Sequence, residues 1–325
     1  MTDTLIRDRT SGRGGVTGRG RAVRRKRNAR PVWEEPPTAA GQTAKGLTLG
    51  VVLAVVLVPL WIIVVTSLST QAVVNRAGGL VLWPEEVTFE AYRVMLGDAT
   101  VRNALFVSLG ITLVGTVVSM VVSILCAYGL SRPRSVAHRF ILVLLIVTMF
   151  VNGGLIPTFL VVTGLGGYGE WWALILPSAV SVFNILVLRS FYSDTSAELI
   201  EAARIDGAGD WRILWSIVLP TSRAVTAVIA LFYGVGYWNS FFNVMLYMPT
   251  DSEKWPLQYV LLTYVNRGNG LPGSVNSGFG TQFAQTAPLS LQMAVVVLTL
   301  VPLLIVYPFM QKHFRVGVLT GAVKG

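Results

Sequence analysis

Six stretches of about eighteen or more apolar residues, all free of Asp, Glu, Lys, Arg and His, limit what this chain can become. They run Leu47–Thr70, Asn103–Leu130, Phe140–Leu165, Trp171–Leu188, Ala224–Tyr247 and Leu289–Met310. A hydrocarbon core about 30 Å thick takes roughly 20 residues of helix rising about 1.5 Å each. Each stretch is therefore long enough to span a bilayer, and the expected fold is all-α and polytopic, with six transmembrane helices. Composition agrees: 13% of the 325 residues are charged and 53% hydrophobic, against roughly 25% charged in soluble domains. Trp171, Trp172, Tyr247 and Tyr307 stand near span ends, where amphipathic rings favour the headgroup zone.

The net charge of +10 belongs mostly to one place: residues 1–30 carry +8 of it. With the N-terminus placed in the cytoplasm, 21 Lys and Arg fall on inner segments and five on outer ones. The positive-inside rule then sets both termini in the cytoplasm of a multi-pass protein of the cell membrane. Residues 1–44 are rich in Arg, Gly, Thr and Pro without apolar periodicity, so they are expected to be a basic disordered cytoplasmic tail. Its simplest role is a positive-inside anchor touching anionic lipid, and no nucleic-acid partner is expected. Nothing at the N-terminus reads as a cleaved signal. Residues 45–325 form the membrane domain.

Several function classes are excluded. Cys126 is the single cysteine, so no intrachain disulfide can form. His138 and His313 have no Cys or carboxylate at ligand spacing, so no metal site is expected. Ion-coupled carriers place ionisable side chains within spans, and here there are none. A phosphate-binding loop needs lysine after glycine; the five lysines follow Arg25, Ala44, Glu253, Gln311 and Val323. No cofactor is expected in the chain, and any ATP must be bound by a partner. A permease driven by a separate ATPase is the reading left standing, with a passive channel or membrane scaffold as its alternative.

Such a partner needs a hydrophilic inner loop, and the longest runs from Arg189 to Arg223. Thr195 and Glu198 have capping-box spacing, predicting a short helix through Ile205. Asp206-Gly207-Ala208-Gly209 breaks it, Asp210 can cap a second helix over Trp211–Leu219, and Pro220 marks entry to the next span. Glu201-Ala202-Ala203, three residues, Gly207, nine residues, then Ile217-Val218-Leu219-Pro220 fill every position of the EAA loop, EAA-x3-G-x9-I-x-L-P.

That pattern, between the fourth and fifth of six spans, resembles the permeases of ATP-binding-cassette importers of type I, with a MetI-like transmembrane domain. Asn152-Gly-Gly-Leu-Ile-Pro157, Trp172-Ala-Leu-Ile-Leu-Pro177, Ser181-Val-Phe-Asn184, Tyr237-Trp-Asn-Ser-Phe-Phe242 and the ending Val323-Lys324-Gly325 are similar to the carbohydrate-uptake branch. The resemblance implies that residues 194–220 form a coupling helix seated in an ATPase, through Glu201, Ala202, Ala203, Asp206, Gly207, Ile217, Leu219 and Pro220. It implies a second permease, two ATPase subunits, an extracytoplasmic solute-binding protein and an oligosaccharide substrate. It further implies that Val323, Lys324 and Gly325 contact the ATPases.

Sugars are held by aromatic stacking and hydrogen bonds to hydroxyls. The spans offer Tyr233, Tyr237, Trp238, Asn239 and Asn243, with Asn152 and Asn184, as a substrate pathway. The same side chains could serve helix packing instead. Gly110, Gly115, Ser119 and Ser123 in the second span read as close-packing residues. Of the long outer segments, 71–102 is expected to hold an amphipathic helix over Val87–Leu96, lying against the membrane or a partner, and 248–288 to be a loop.

Overall fold

The computed structural model describes residues 38–132, 137–151, 153–194, 197–267 and 288–322. It divides into two units, residues 1–55 and Val56–Gly325. Of the first, the described part is the beginning of α1 (Ala39–Ser67), whose helix starts within the segment expected to be tail. Ala39, Ala40 and Ala44 favour helix, and the Thr38 hydroxyl accepts the Gly41 N–H at 3.2 Å as an N-terminal cap does. The remainder of the expected tail lies outside the described residues.

In the second unit, α1 ends where Ser67 and Ser69 hydrogen-bond back to the carbonyls of Val64 and Val65 at 2.7 Å. α2 (Gln71–Arg76) and α3 (Glu90–Gly97) follow. An isolated bridge between Ser69 and Val87 is the β pairing among the described residues. α3 covers most of the expected amphipathic segment, but its buried face meets the bundle. Met95 and Ala91 are buried, and the Tyr92 hydroxyl pairs with Ser67 at 2.7 Å.

α4 (Ala99–Ser131) is the axis of the unit. Asp98 caps it, its carboxylate accepting the Thr100 N–H at 2.6 Å. Ala104, Ser108, Ile111, Gly115, Ser119, Ser123, Ala127 and Leu130 are buried at spacings of three and four, the stripe a packed helix requires. Small members of the stripe let a neighbour approach. A Cβ on Gly115 would lie 2.8 Å from the Tyr237 ring.

Three of the described helices cross-match a bilayer unbroken: α1, α4 and Leu289–Pro308 within the last helix. The third, fourth and fifth expected spans are each broken, so among the described residues six spans are reached with each bent pair counted as one. α5 (His138–Phe150) and α6 (Leu155–Gly164) are separated around Gly154, at φ +83°. α7 (Trp172–Ile175) and a 3₁₀ turn over Leu176–Ser178 meet α8 (Val182–Ser193) at 51°. Pro177 has no N–H to carry an α-helix onward.

α9 (Ala197–Ile205) precedes a continuous helical run: α10 (Asp210–Ile213), a π turn over Leu214–Val218 and α11 (Leu219–Thr221). This run meets α12 (Arg223–Trp238) at 87°. The fifth span is thus α12, an interruption at 239–241, and α13 (Phe242–Tyr247). α12 packs against α4, α8 and the last helix, placing Ile229, Tyr233, Tyr237 and Trp238 in the core.

The segment expected to be a loop holds α14 (Leu257–Arg267), which packs on α4 and the last helix. Leu257 and Val260 are fully buried, and the Leu257 N–H donates to the Ser108 hydroxyl at 2.7 Å. Residues 268–287 lie outside the described residues. α15 (Pro288–Ala322) is the last described helix, with Pro302 and Pro308 inside it.

Candidate functional site

The turn between α9 and α10 is built by its glycine. Gly207 lies at φ +79°, the Gly207 N–H bonds the Arg204 carbonyl at 3.0 Å, and the Ala208 N–H bonds the Ala203 carbonyl at 2.8 Å. These are the 5→2 and 6→1 bonds of a Schellman ending, which needs a left-handed residue. Gly209, not Asp210, occupies the N-cap of α10. Asp210 instead takes an ion pair from Arg204 at 3.5 Å and hydrogen bonds from the Tyr128 hydroxyl. Thr195, the expected capping residue of α9, lies outside the described residues.

Beyond the turn, Ile213, Leu214 and Val218 are buried in the core. Pro220 supplies no N–H for the Ser216 carbonyl, and its ring would crowd that carbonyl in a tight helix. The backbone there widens into the π turn, and the Thr221 hydroxyl donates to the carbonyls of Ile217 and Val218 at 2.8 and 3.0 Å. Ile217 and Leu219 are half-buried and Pro220 exposed. On the outer surface, Glu201, Ala202, Asp206 and Gly207 are exposed, with Ala203 half-buried. Ile205 is 87% exposed, Trp211 65% and Trp215 64%. The three large apolar side chains were not singled out from the sequence, although Trp211 and Trp215 stand one turn apart.

A second region opens where α8 and α12 meet. It is a cleft of about 360 Å³ lined by Ser178, Ser181, Asn184, Tyr233, Tyr237, Asn239 and Asn243, with Phe232, Phe241 and Phe242. Two breaks in the spans, near Ser181 and at 239–241, border this one cleft. Irregular backbone in an apolar span is tolerated where protein buries it or where it lines a water-filled cavity.

Two tyrosines meet the backbone groups that the break in the fourth span releases. The Tyr237 hydroxyl donates to the Ile175 carbonyl at 3.0 Å, and the Tyr233 hydroxyl accepts the Ser181 N–H at 3.1 Å. The same hydroxyls pair with Ser119 at 2.8 Å and Ser123 at 2.7 Å on α4. One helical turn of α12 therefore ties α4 to both sides of the break.

Of the sequence candidates, the cleft gathers Tyr233, Tyr237, Asn239, Asn243 and Asn184. Trp238 is not with them: it is buried on another face of α12, its Nε1–H donating to the Thr299 carbonyl of α15 at 3.0 Å. Asn239 Nδ2 donates back to the Val235 carbonyl at 3.0 Å. Asn184 is 6% exposed, and its side-chain amide makes no hydrogen bond to the described residues. Asn152, Val323, Lys324 and Gly325 lie outside the described residues. Among the described residues no cluster of His, Cys, Asp or Glu could hold a metal ion.

Residues 119–319 match the family described as binding-protein-dependent transport system inner membrane component. The chain is similar to the polygalacturonan/rhamnogalacturonan transport system permease protein YtcP of Bacillus subtilis. The two are 40% identical over 281 residues, covering 86% of this chain and 96% of that one. Protein LplC of the same organism is 39% identical over 279 residues, covering 86% and 93%. Among solved structures, the chain is similar to part of a bacterial ABC transporter involved in the import of the acidic polysaccharide alginate. There the TM-score is 0.78 at 29% identity, covering 86% of this chain and all of the other.

Proposed function

The chain belongs to the binding-protein-dependent transport system inner membrane components, and from that premise we infer its place in a larger machine. It is a membrane-embedded permease subunit of an ATP-binding-cassette importer for oligosaccharides. It works with a second permease, a pair of ATPase subunits and an extracytoplasmic solute-binding protein. As a transport subunit it makes and breaks no covalent bonds.

In our reading, the α9–Gly207–α10 turn is the lever on which the ATPase acts. The observation that carries this is the exposure of Ile205, Trp211 and Trp215 around a left-handed glycine. Monomeric soluble surfaces seldom present several large apolar side chains together, whereas a partner's groove would cover them. Glu201, Asp206 and Arg204 offer charge at the rim. ATP is bound by the partner, and closure of the ATPase pair moves the turn. The Schellman ending and the buried Ile213, Leu214 and Val218 carry that motion into α12 and the cleft, where Asn184, Asn239, Asn243 and the tyrosine rings meet the sugar.

Gly207→Trp tests the lever. Uptake into proteoliposomes holding the complete transporter should be abolished while the permease pair still assembles. Retained, ATP-independent sugar flux would instead establish a passive channel.

Both termini are assigned to the cytoplasm. In a Cys126→Ser background, a cysteine at Glu198 should resist a membrane-impermeant maleimide in intact cells, and one at Glu86 should react. The reverse pattern would overturn the assignment. The basic residues 1–30 then anchor the inner face. The ending Val323–Gly325 reaches the ATPases, a role that unchanged transport after deletion of residues 320–325 would remove.

A further inference from the structure

We propose that the cleft between α8 and α12 accepts uncharged oligosaccharides and discriminates against uronates. The inference rests on reading that cleft as the sugar pathway, and it names the chemistry the pathway selects. Its lining consists of amides, hydroxyls and aromatic rings: Asn184, Asn239, Asn243, Ser178, Ser181 and the two tyrosines. None of the described residues that line it is Lys, Arg or His. A carboxylate taken from water into such a place would meet dipoles but no counter-charge, and an unpaired ion costs far more to desolvate than a hydroxyl.

The side chain with most to offer a ligand is Asn184. It is 94% buried, faces the cleft, and its amide has no hydrogen-bond partner among the described residues. An amide presents both a donor and an acceptor. A sugar hydroxyl, which also donates and accepts, satisfies both; a carboxylate accepts only and sets its charge against the amide oxygen.

Two cations of the flanking segments are engaged elsewhere. Arg189, further along α8, donates from Nε to the Leu130 carbonyl at 2.9 Å. Lys254 donates to the Gly169 carbonyl at 2.8 Å and pairs with Asp251 at 3.4 Å.

The experiment compares trigalacturonate with its fully methyl-esterified form, which keeps the rings and linkages and removes the charge. Maltotriose and cellotriose stand beside them as neutral chains of other linkage. Each is presented to the purified transporter, with both permeases and the ATPases but without the binding protein, and contact is read by saturation-transfer NMR. Neutral trisaccharides should give signals at least about tenfold above trigalacturonate, and Asn184→Ala should lower them severalfold. Equal or stronger signals from trigalacturonate would overturn the charge preference while leaving the sugar pathway intact. Silence from all four sugars, or neutral signals indifferent to Asn184→Ala, would instead overturn the cleft as the pathway, and the preference with it.

Discussion

The Tyr128 hydroxyl donates to the Asp210 carbonyl at 3.0 Å, fastening the last turn of α4 to the first turn of α10. Arg132 completes the clasp, donating to the same hydroxyl at 2.9 Å and lying 4.9 Å from the tyrosine ring centroid. The helix run behind the exposed turn is thus tied to the central helix as well as to α12. Tyr128→Phe keeps the ring and removes this bond together with the one from Arg132, a loss of about 1–3 kcal/mol for a neutral and a charge-assisted hydrogen bond. The expected outcome is less sugar imported per ATP hydrolysed, with assembly of the complex unchanged. An unaltered transport-to-hydrolysis ratio in proteoliposomes would show that the tie carries no motion.

Gly207 separates backbone strain from crowding. Nothing lies within 4 Å of where its Cβ would be, so a substituent is opposed by the left-handed conformation alone. Gly207→Val should cost roughly 1–2 kcal/mol and lower the coupling of hydrolysis to uptake. Gly207→Asn, whose side chain tolerates that conformation, should retain most of it. Equal losses in both variants would point to lost contact with the partner rather than strain.

At Gly115 the opposite holds, because the added methyl would meet the Tyr237 ring at 2.8 Å. The ring cannot swing aside without surrendering its bonds to Ser119 and Ile175. Gly115→Ala should destabilise the detergent-solubilised permease by about 1–3 kcal/mol, as overpacking does. In combination with Tyr237→Val the two losses should fall short of additivity, read as thermal midpoints in a double-mutant cycle.

Trp238 and Asn184 should part company in kinetics. Trp238→Phe removes the bond to Thr299, lowering the thermal midpoint by an amount equivalent to about 0.5–1.5 kcal/mol with the apparent KM for sugar unchanged. Asn184→Ala should raise that KM severalfold with little change in midpoint. A raised KM in Trp238→Phe would return the indole to the substrate pathway.

Much of this was legible from local chemistry. Uncharged runs announced the spans, and EAA-x3-G-x9-I-x-L-P announced the turn, because a left-handed glycine and a helix-interrupting proline leave fixed marks. The breaks were written too, as Pro177 and Gly154, but a hydropathy window averages over such residues. α14 is masked in the sequence by the Gly, Pro and Asn of its surroundings. Leu257, Val260, Leu261 and Tyr264 after Pro256 carried the helical period all along. Trp238 could not be assigned a face from sequence, since Tyr237, Trp238 and Asn239 are adjacent and only packing decides which side meets α15.

The two tyrosine bonds to the broken fourth span join residues 62 and 52 positions apart in sequence, each tyrosine following its partner. During synthesis the Ile175 carbonyl and the Ser181 N–H are therefore made well before the hydroxyls that will meet them. At about 5–20 residues per second the interval is roughly 3–12 s. For that time the fourth span must find water or temporary partners for its exposed groups, and it becomes a settled membrane element only when the fifth arrives. The chain's order of birth is thus part of its structure: these two helices mature as a pair.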